Sequence, residues 1–123
     1  MIMGQIREVA DESPHICLFR NNTGSFLLKG GLYFRAGLCK GSADLIGWLS
    51  TGDTAVFLSV EVKKPGGKVE KHQEDWRHQV TSAGGLAMIV SSVAEFEEQI
   101  QRYLNWTTLQ NEKKPRPTPL LGR

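Results

Sequence analysis

The chain contains little cysteine and no long hydrophobic run. Its two cysteines, Cys17 and Cys39, form neither a CxxC pair nor a Cys/His cluster, and the three histidines lack metal-ligand spacing. We therefore expect both cysteines to stay reduced and to pack in strands or core. No apolar stretch approaches the roughly 18 residues of a membrane span, and residues 1–8 show no signal-peptide pattern. These absences predict a cytoplasmic protein that is not secreted.

The composition is typical of one globular domain. The 123 residues suffice for a single core, and a hydrophobic content of 40% with 23% charged residues is ordinary for such a domain. A net charge of +2 is too small to indicate nucleic-acid binding by itself, but it permits a local basic patch. We predict one domain over residues 1–110 and a flexible, basic, proline-rich tail over residues 111–123.

Apolar periodicity and turn residues predict the order of helices and strands. The predicted elements are a helix over 2–12, a strand over 16–19, a strand or hairpin around Gly30-Gly31, strands over 44–49 and 55–63, a helix over 69–83 that places Trp76 in the core, a buried strand over 86–90 and an amphipathic helix from 93. The last strand pair and the helix between them form a βαβ unit. We therefore predict an α/β fold with a mixed central sheet flanked by helices.

A hairpin turn at Gly52-Asp53 brings two acidic residues together. Gly-Asp suits a two-residue turn between the strands at 44–49 and 55–63. In that register Asp44 lies opposite Glu61, with Cβ atoms roughly 5 Å apart. Lys63 shares their face, because side chains two positions apart on a strand point the same way. A bulge in either strand would shift this register.

The spacing of these charged groups suggests a metal site. Two carboxylates so close together repel each other at neutral pH unless a cation lies between them. A hard divalent cation, Mg²⁺ or Mn²⁺, prefers such oxygen ligands. With the ammonium group of Lys63 beside it, this arrangement suits attack on a phosphodiester. The alternative interpretation is an exposed hairpin that carries an ordinary ion pair.

The residues around this pair resemble the VRR-NUC nuclease domain of the PD-(D/E)xK superfamily. The likeness covers about residues 5–92. It is carried by Gly41-Ser42-Ala43-Asp44-Leu45-Ile46, Glu61-Val62-Lys63, Pro65-Gly66-Gly67, Gln73 with Trp76, and Gly84-Gly85, while residues 19–24 are similar to stand-alone phage and bacterial members. The resemblance implies a restriction-endonuclease-like αβββαβ core, metal-dependent DNA cleavage, and a bacterial or phage-infected cell.

The resemblance also implies a substrate and an assembly. Similar stand-alone members are small homodimers that act on branched DNA, including four-way (Holliday) junctions. The alternatives are a nuclease for flaps, nicks or ordinary duplex, and a non-catalytic DNA-binding module with the same fold. We expect neither a membrane partner nor an organic cofactor.

Five residues receive roles from this resemblance and their chemistry. Asp44 and Glu61 would bind Mg²⁺ or Mn²⁺, with the backbone carbonyl of Val62 as a third oxygen ligand. Lys63 would position the attacking water and offset phosphate charge, since a general-base role requires a pKa well below roughly 10.4. Gln73 would hydrogen-bond the water or a metal ligand. An exposed polar helix residue is the alternative for Gln73.

The superfamily also places an acid on its first helix, where it would bind a second metal. Glu8 is the predicted residue, because it lies at the edge of the apolar stripe of helix 2–12. Asp11 and Glu12 compete with it, and Glu12 shares the face of Glu8. A solvated acid is the alternative interpretation for all three.

The predicted DNA contacts lie on both sides of the hairpin. Lys64 and Arg77 are candidates for phosphate binding, with simple solvation as the alternative. Arg20, Asn21 and Asn22 are candidates for contacts to the DNA backbone. Asparagine is also an ordinary turn residue, which is the alternative for that pair.

Overall fold

The structure, a computed structural model, describes residues 1–113 apart from the side chains of Phe26 and Arg35. It contains three helices and six strands within this range. In chain order they are α1 (Ile2–Glu12), β1 (Ile16–Arg20), β2 (Gly24–Leu27), β3 (Tyr33–Ala36), β4 (Leu45–Ser50), β5 (Ala55–Val62), α2 (Lys71–Ser82), β6 (Leu86–Val90) and α3 (Val93–Lys113). The predicted order of helices and strands is confirmed, except that five strands precede α2 where three or four were predicted, because the chain around Gly30-Gly31 forms a hairpin of two strands.

The central sheet has four strands in the order β1-β4-β5-β6. β4 pairs antiparallel with both β1 and β5, and β5 pairs parallel with β6. A parallel pair needs a crossover, which α2 supplies. Strands β2 and β3 form a separate two-stranded sheet. With that hairpin set aside, the chain follows the αβββαβ order, so the predicted mixed α/β fold is confirmed.

One face of the sheet forms the core against α1 and α3. Alternate strand residues point to this face, as a period of two requires. Ile6 and Phe96 supply fully buried side chains from the two helices. The buried cluster consists of Ile6, Ala10, Leu18, Leu45, Leu49, Val56, Leu58, Val60, Met88, Val90, Phe96 and Ile100.

The other face of the sheet is only partly covered. Helix α2 lies over β5, where the indole nitrogen of Trp76 donates a 2.9 Å hydrogen bond to Ser59 Oγ and the ring meets Phe57 edge-on. Trp76 therefore packs on the sheet rather than standing free. Over β1 and β4 the same face stays open, with Phe19 51% and Trp48 45% exposed.

The predicted start of helix α2 needs correction. Helix α2 begins at Lys71, because Glu70 and Gln73 form a reciprocal capping box at its start. Helix α3 extends from Val93 through Lys113. The rest of the predicted tail lies outside the described residues.

Within residues 1–113, none of the helices combines the length and the hydrophobicity that a membrane span requires.

Candidate active site

The β4–β5 hairpin has the predicted turn and register. Thr51 N–H donates a 2.9 Å hydrogen bond to the Thr54 carbonyl across Gly52, whose φ is +107°. Leu45 pairs with Val60, so the next position outward sets residue 44 against residue 61. The pairs from Leu45 to Ser50 follow the predicted register without a bulge, and this register extends to Asp44 opposite Glu61.

Asp44 and Glu61 occupy the closer kind of cross-strand position. Hydrogen-bonded and non-hydrogen-bonded pairs alternate along an antiparallel ladder. Because the Thr51–Thr54 pair is hydrogen-bonded, the alternation makes residues 44 and 61 a non-hydrogen-bonded pair. Such pairs bring Cα atoms to about 4.5 Å and side chains close together. The two carboxyl groups therefore face each other where β4 begins and β5 ends.

The end of β5 fixes the Asp44 carboxylate. Val62 N–H donates a 2.9 Å hydrogen bond to Asp44 Oδ2. The N–H and C=O of one extended residue point to the same side of the strand. The carbonyl of Val62 therefore points to the side of β5 where Asp44 lies, which supports its predicted place in a metal site.

Asn21 holds the loop that leads into Asp44. Its side-chain amide donates 2.9 Å hydrogen bonds to Ser42 Oγ and to the Ala43 carbonyl. Its Oδ1 accepts a 3.1 Å hydrogen bond from Leu38 N–H, and its backbone N–H donates to the Asp44 carbonyl at 2.8 Å. In a continued ladder, Val62 N–H would donate to the Ala43 carbonyl. That carbonyl accepts from Asn21 instead, and Val62 N–H donates to the Asp44 carboxylate.

The sequence predicted Asn21 to be a DNA contact and did not reveal this role. Its polar side-chain atoms are occupied within the protein. The family-like stretch over residues 19–24 signalled the position. It did not signal the partner, since a hydrogen bond across 22 residues depends on how the intervening loop folds.

The loop before Asp44 also fits against helix α2. Gly41 has a φ of +91°, and a Cβ built on it would lie 2.4 Å from the backbone carbonyl oxygen of His72. Only glycine readily adopts this positive φ and also leaves room for the His72 carbonyl. This close approach sets the loop beside the first turn of α2, the turn that carries Gln73.

Gln73 contacts the acidic pair, as predicted. Its Nε2 donates a 3.0 Å hydrogen bond to Glu61 Oε1, while its own Oε1 accepts a 3.0 Å hydrogen bond from Glu70 N–H. The capping box therefore orients the amide so that its donor end faces Glu61. A glutamine does this without adding charge to the site.

Glu61 is held in an environment that disfavours its charge. The residue is 9% exposed. Burial raises the pKa of Glu61 from 4.5 to about 7, and the neighbouring charge of Asp44 contributes to that rise. The ammonium of Lys63 acts in the opposite direction and lowers this pKa. Lys63 therefore lies close enough to interact with the pair.

This donor set fits a hard divalent cation. Asp44 Oδ2 accepts a hydrogen bond from Val62 N–H and Glu61 Oε1 accepts one from Gln73 Nε2, so both carboxylates are held in place. A cation would relieve both the repulsion and the burial of charge. Among residues 1–113 no group of three or more His, Cys, Asp or Glu side chains is suited to a metal. The Val62 carbonyl, water and substrate would therefore complete the coordination.

One comparison with known proteins covers the part of the chain that forms this site. The family model for the VRR-NUC domain matches residues 29–95, a range that contains Asp44, Glu61, Lys63 and Gln73. The chain belongs to the VRR-NUC family. This is a family of nucleases, which act on DNA. Searches of curated proteins and of solved structures give no match. The matched range excludes α1, β1 and Asn21, so it is shorter at the N-terminal end than the predicted likeness.

The predicted acid of the first helix, Glu8, does not lie on the same face of the sheet as Asp44 and Glu61. Helix α1 covers the core face of the sheet, through Ile6 and Ala10. Asp44 and Glu61 are neighbours in sequence of the core residues Leu45 and Val60, and so point to the opposite face. Glu8, Asp11 and Glu12 are exposed on α1. A second metal site through Glu8 is therefore not supported.

The predicted DNA contacts of this VRR-NUC domain have mixed surroundings. Arg77 forms a 2.7 Å ion pair with Glu74 on the surface of α2, so its charge is partly offset. Lys64 is exposed in a turn that Gly67 N–H closes onto its carbonyl at 2.8 Å. Arg20 is exposed at the end of β1, and Asn22 is exposed in the connection from β1 to β2. These four remain predictions.

The raised pKa of Glu61 predicts how the stability of the metal-free VRR-NUC protein depends on pH. The folded pKa exceeds the ordinary value of 4.5. The contribution of Glu61 to stability is therefore fully present below pH 4.5 and is lost as the pH rises through about 7. We expect Glu61→Gln to remove this loss and to raise the free energy of unfolding at pH 8 by about 2 kcal/mol.

Urea unfolding in EDTA between pH 5 and pH 8.5 measures this difference, with the exposed Glu97→Gln as the matched control. Saturating Mg²⁺ should stabilise the wild type at pH 8 and leave Glu61→Gln unchanged. Equal pH dependence in wild type and Glu61→Gln would show that Glu61 ionises normally in the folded protein.

Proposed function

We propose that this protein is a metal-dependent endonuclease that hydrolyses phosphodiester bonds in branched DNA. The observation that carries the proposal is the facing pair of Asp44 and Glu61, beside Lys63 and hydrogen-bonded to Gln73. Two like charges in a partly buried site are unfavourable unless a cation binds between them and itself binds an anionic substrate. A nuclease site meets that requirement.

Asp44, Glu61 and the Val62 carbonyl would hold Mg²⁺ or Mn²⁺. The bound ion would polarise the scissile phosphate and lower the pKa of a bound water. The protein itself orients the ligands. Val62 N–H fixes the Asp44 carboxylate and the Gln73 amide fixes that of Glu61, so little reorganisation is needed when a substrate binds.

Lys63 would act on the substrate rather than on the ligands. Its backbone is held by a 2.9 Å hydrogen bond from its N–H to the Val90 carbonyl, at the end of the parallel β5–β6 pair. Its side chain shares the face of Glu61. The ammonium would offset the charge that builds on the phosphate and would position the attacking water.

The proposed substrate is a four-way junction and the proposed active form is a homodimer. A symmetric junction needs two cuts related by a two-fold axis, which two copies of one site supply. Over β1 and β4 the sheet exposes the adjacent aromatic rings of Phe19 and Trp48, an apolar patch of the kind that an interface between two copies can bury. A nuclease for flaps, nicks or ordinary duplex is the alternative, and a DNA-binding module without catalysis is the second class.

End-labelled four-way junctions, 5′ and 3′ flaps, forks and linear duplex test the proposal in Mg²⁺, Mn²⁺ or EDTA. We expect paired, symmetric junction cuts that need a metal, from a protein that sediments as a dimer. Cuts confined to flaps or duplex would keep the nuclease and reject the junction substrate. Binding to DNA without cleavage in either metal would refute the catalytic function.

A further inference from the structure

The β2–β3 hairpin stands apart from the rest of the fold. Its two strands pair only with each other among the described strands, and residues 28–32 form its tip. A lone two-stranded hairpin is only marginally stable in water. This hairpin nevertheless exposes between about half and three-quarters of each of five large apolar side chains. They are Leu27, Leu28, Leu32, Tyr33 and Phe34. Such a surface is typical of an element that contacts a partner.

The base of the hairpin is fastened to the candidate active site. Asn21 binds Leu38 N–H on the returning chain and the Ala43 carbonyl just before Asp44. Gly37 lies so close to the Asn22 carbonyl that an added Cβ would be 2.7 Å from that oxygen. Four-residue strands carry the tip roughly 13 Å from this base. The hairpin is therefore an arm that starts beside the predicted position of the scissile phosphate.

The charge around this arm favours DNA as the partner over a second copy of the chain. Residues 13–43 contain neither Asp nor Glu, although the chain has 13 such residues in all. The same stretch includes Arg20, Lys29 and Lys40. In a two-fold contact between copies, the same cationic surface would meet itself. The phosphates of DNA would instead be attracted to it.

We propose that the β2–β3 hairpin recognises the point where the DNA branches, and so selects branched DNA for the proposed nuclease. Leu32 in the tip and Tyr33 beside it at the start of β3 pack against bases that a branch leaves unstacked, and Lys29 and Lys40 lie along the DNA backbone. In uniform duplex the base faces are already stacked on each other, so the apolar tip has nothing to bind. Stacking on an aromatic side chain tolerates any base, which suits recognition of shape rather than sequence.

Equilibrium binding in EDTA tests this proposal without any need for cleavage. The protein is titrated into a labelled four-way junction and a linear duplex of the same length, with 2-aminopurine at the branch. We expect the double variant Leu32→Ser/Tyr33→Ser to lose about 10- to 100-fold in junction affinity. Its duplex affinity should stay within about twofold, and the 2-aminopurine signal seen with wild type should disappear.

Matched controls lie on α3, which covers the core face of the sheet, away from Asp44 and Glu61. Trp106→Ser and Leu109→Ser replace side chains of similar exposure, 53% and 54%, and should leave both affinities unchanged. An unaltered junction-to-duplex ratio in the hairpin variant overturns the proposal. A wild-type protein that binds both DNAs equally also overturns it, as does a hairpin variant that turns a dimer into monomers on sedimentation.

The hairpin proposal rests on the proposed function for its substrate, yet the two fail differently. A wild type that binds junctions through the hairpin but never cuts refutes the nuclease and keeps the arm. If the wild type cuts junctions and the hairpin variant binds and cuts them equally well, the nuclease function stands. The proposed role of the hairpin in recognition is then refuted.

Discussion

Replacing Asp44 with asparagine is expected to lower metal-dependent DNA cleavage by at least about a thousandfold. The amide oxygen of the introduced asparagine still accepts the hydrogen bond that Asp44 Oδ2 takes from Val62 N–H. The fold should therefore persist, while the charge that attracts a divalent cation is lost. Single-turnover cleavage of an end-labelled junction at saturating Mg²⁺ measures the effect.

The exposed hairpin-turn residue supplies the matched control for this substitution. Asp53→Asn makes the same chemical change in the same β4–β5 hairpin, at an exposed position outside the site, and should leave the rate unchanged. Lys63→Ala should match the loss in Asp44→Asn but retain metal binding by calorimetry, with Lys68→Ala as its control. Cleavage by Asp44→Asn within tenfold of wild type would remove Asp44 from the site.

The second large effect is expected at Asn21. Asn21→Ala removes three side-chain hydrogen bonds, two donated and one accepted. A net value of about 1 kcal/mol for each predicts a loss of about 2–3 kcal/mol in the free energy of unfolding. Because these bonds fix the loop that enters Asp44, cleavage should also fall by about a hundredfold.

The neighbouring asparagine provides a sharp control for Asn21. Asn22→Ala changes an exposed residue of the same type, and it should leave the urea midpoint unchanged. If Asn22 contacts DNA as predicted, Asn22→Ala weakens DNA binding without altering stability. Wild-type stability and cleavage in Asn21→Ala would mean that other contacts hold the loop.

The parts of the fold that are encoded locally were predicted from sequence. Gly52-Asp53 defines a turn between alternating strands, and the turn alone fixes which residues face each other. Asp44, Glu61 and Lys63 could therefore be placed on one face before the fold was known. The continuous apolar run at Leu86–Val90 likewise indicated a buried parallel strand.

The parts that depend on distant contacts were not predicted. Helical spacing located α1, but it did not show which face of the sheet the helix would cover, so the place of Glu8 relative to Asp44 and Glu61 could not be predicted. Turn chemistry marked Asn21 but not its partners across the loop. The charge of Arg77 suggested phosphate binding, while its ion pair with Glu74 is a matter of rotamers that the sequence does not reveal.

The hydrogen bonds of Asn21 have a consequence for how the protein becomes active. The β4–β5 hairpin closes over a two-residue turn, whereas Asn21 reaches partners 17 to 22 residues away. Contacts of longer range cost more chain entropy and tend to form later in folding. The two carboxylates can thus come together before the loop is held by Asn21. Hydrogen exchange would show this as earlier protection of Val62 N–H than of Leu38 N–H during folding. DNA cleavage would then require the completely folded domain. A partly folded chain would have Asp44 and Glu61 close together but not in the orientation that catalysis needs.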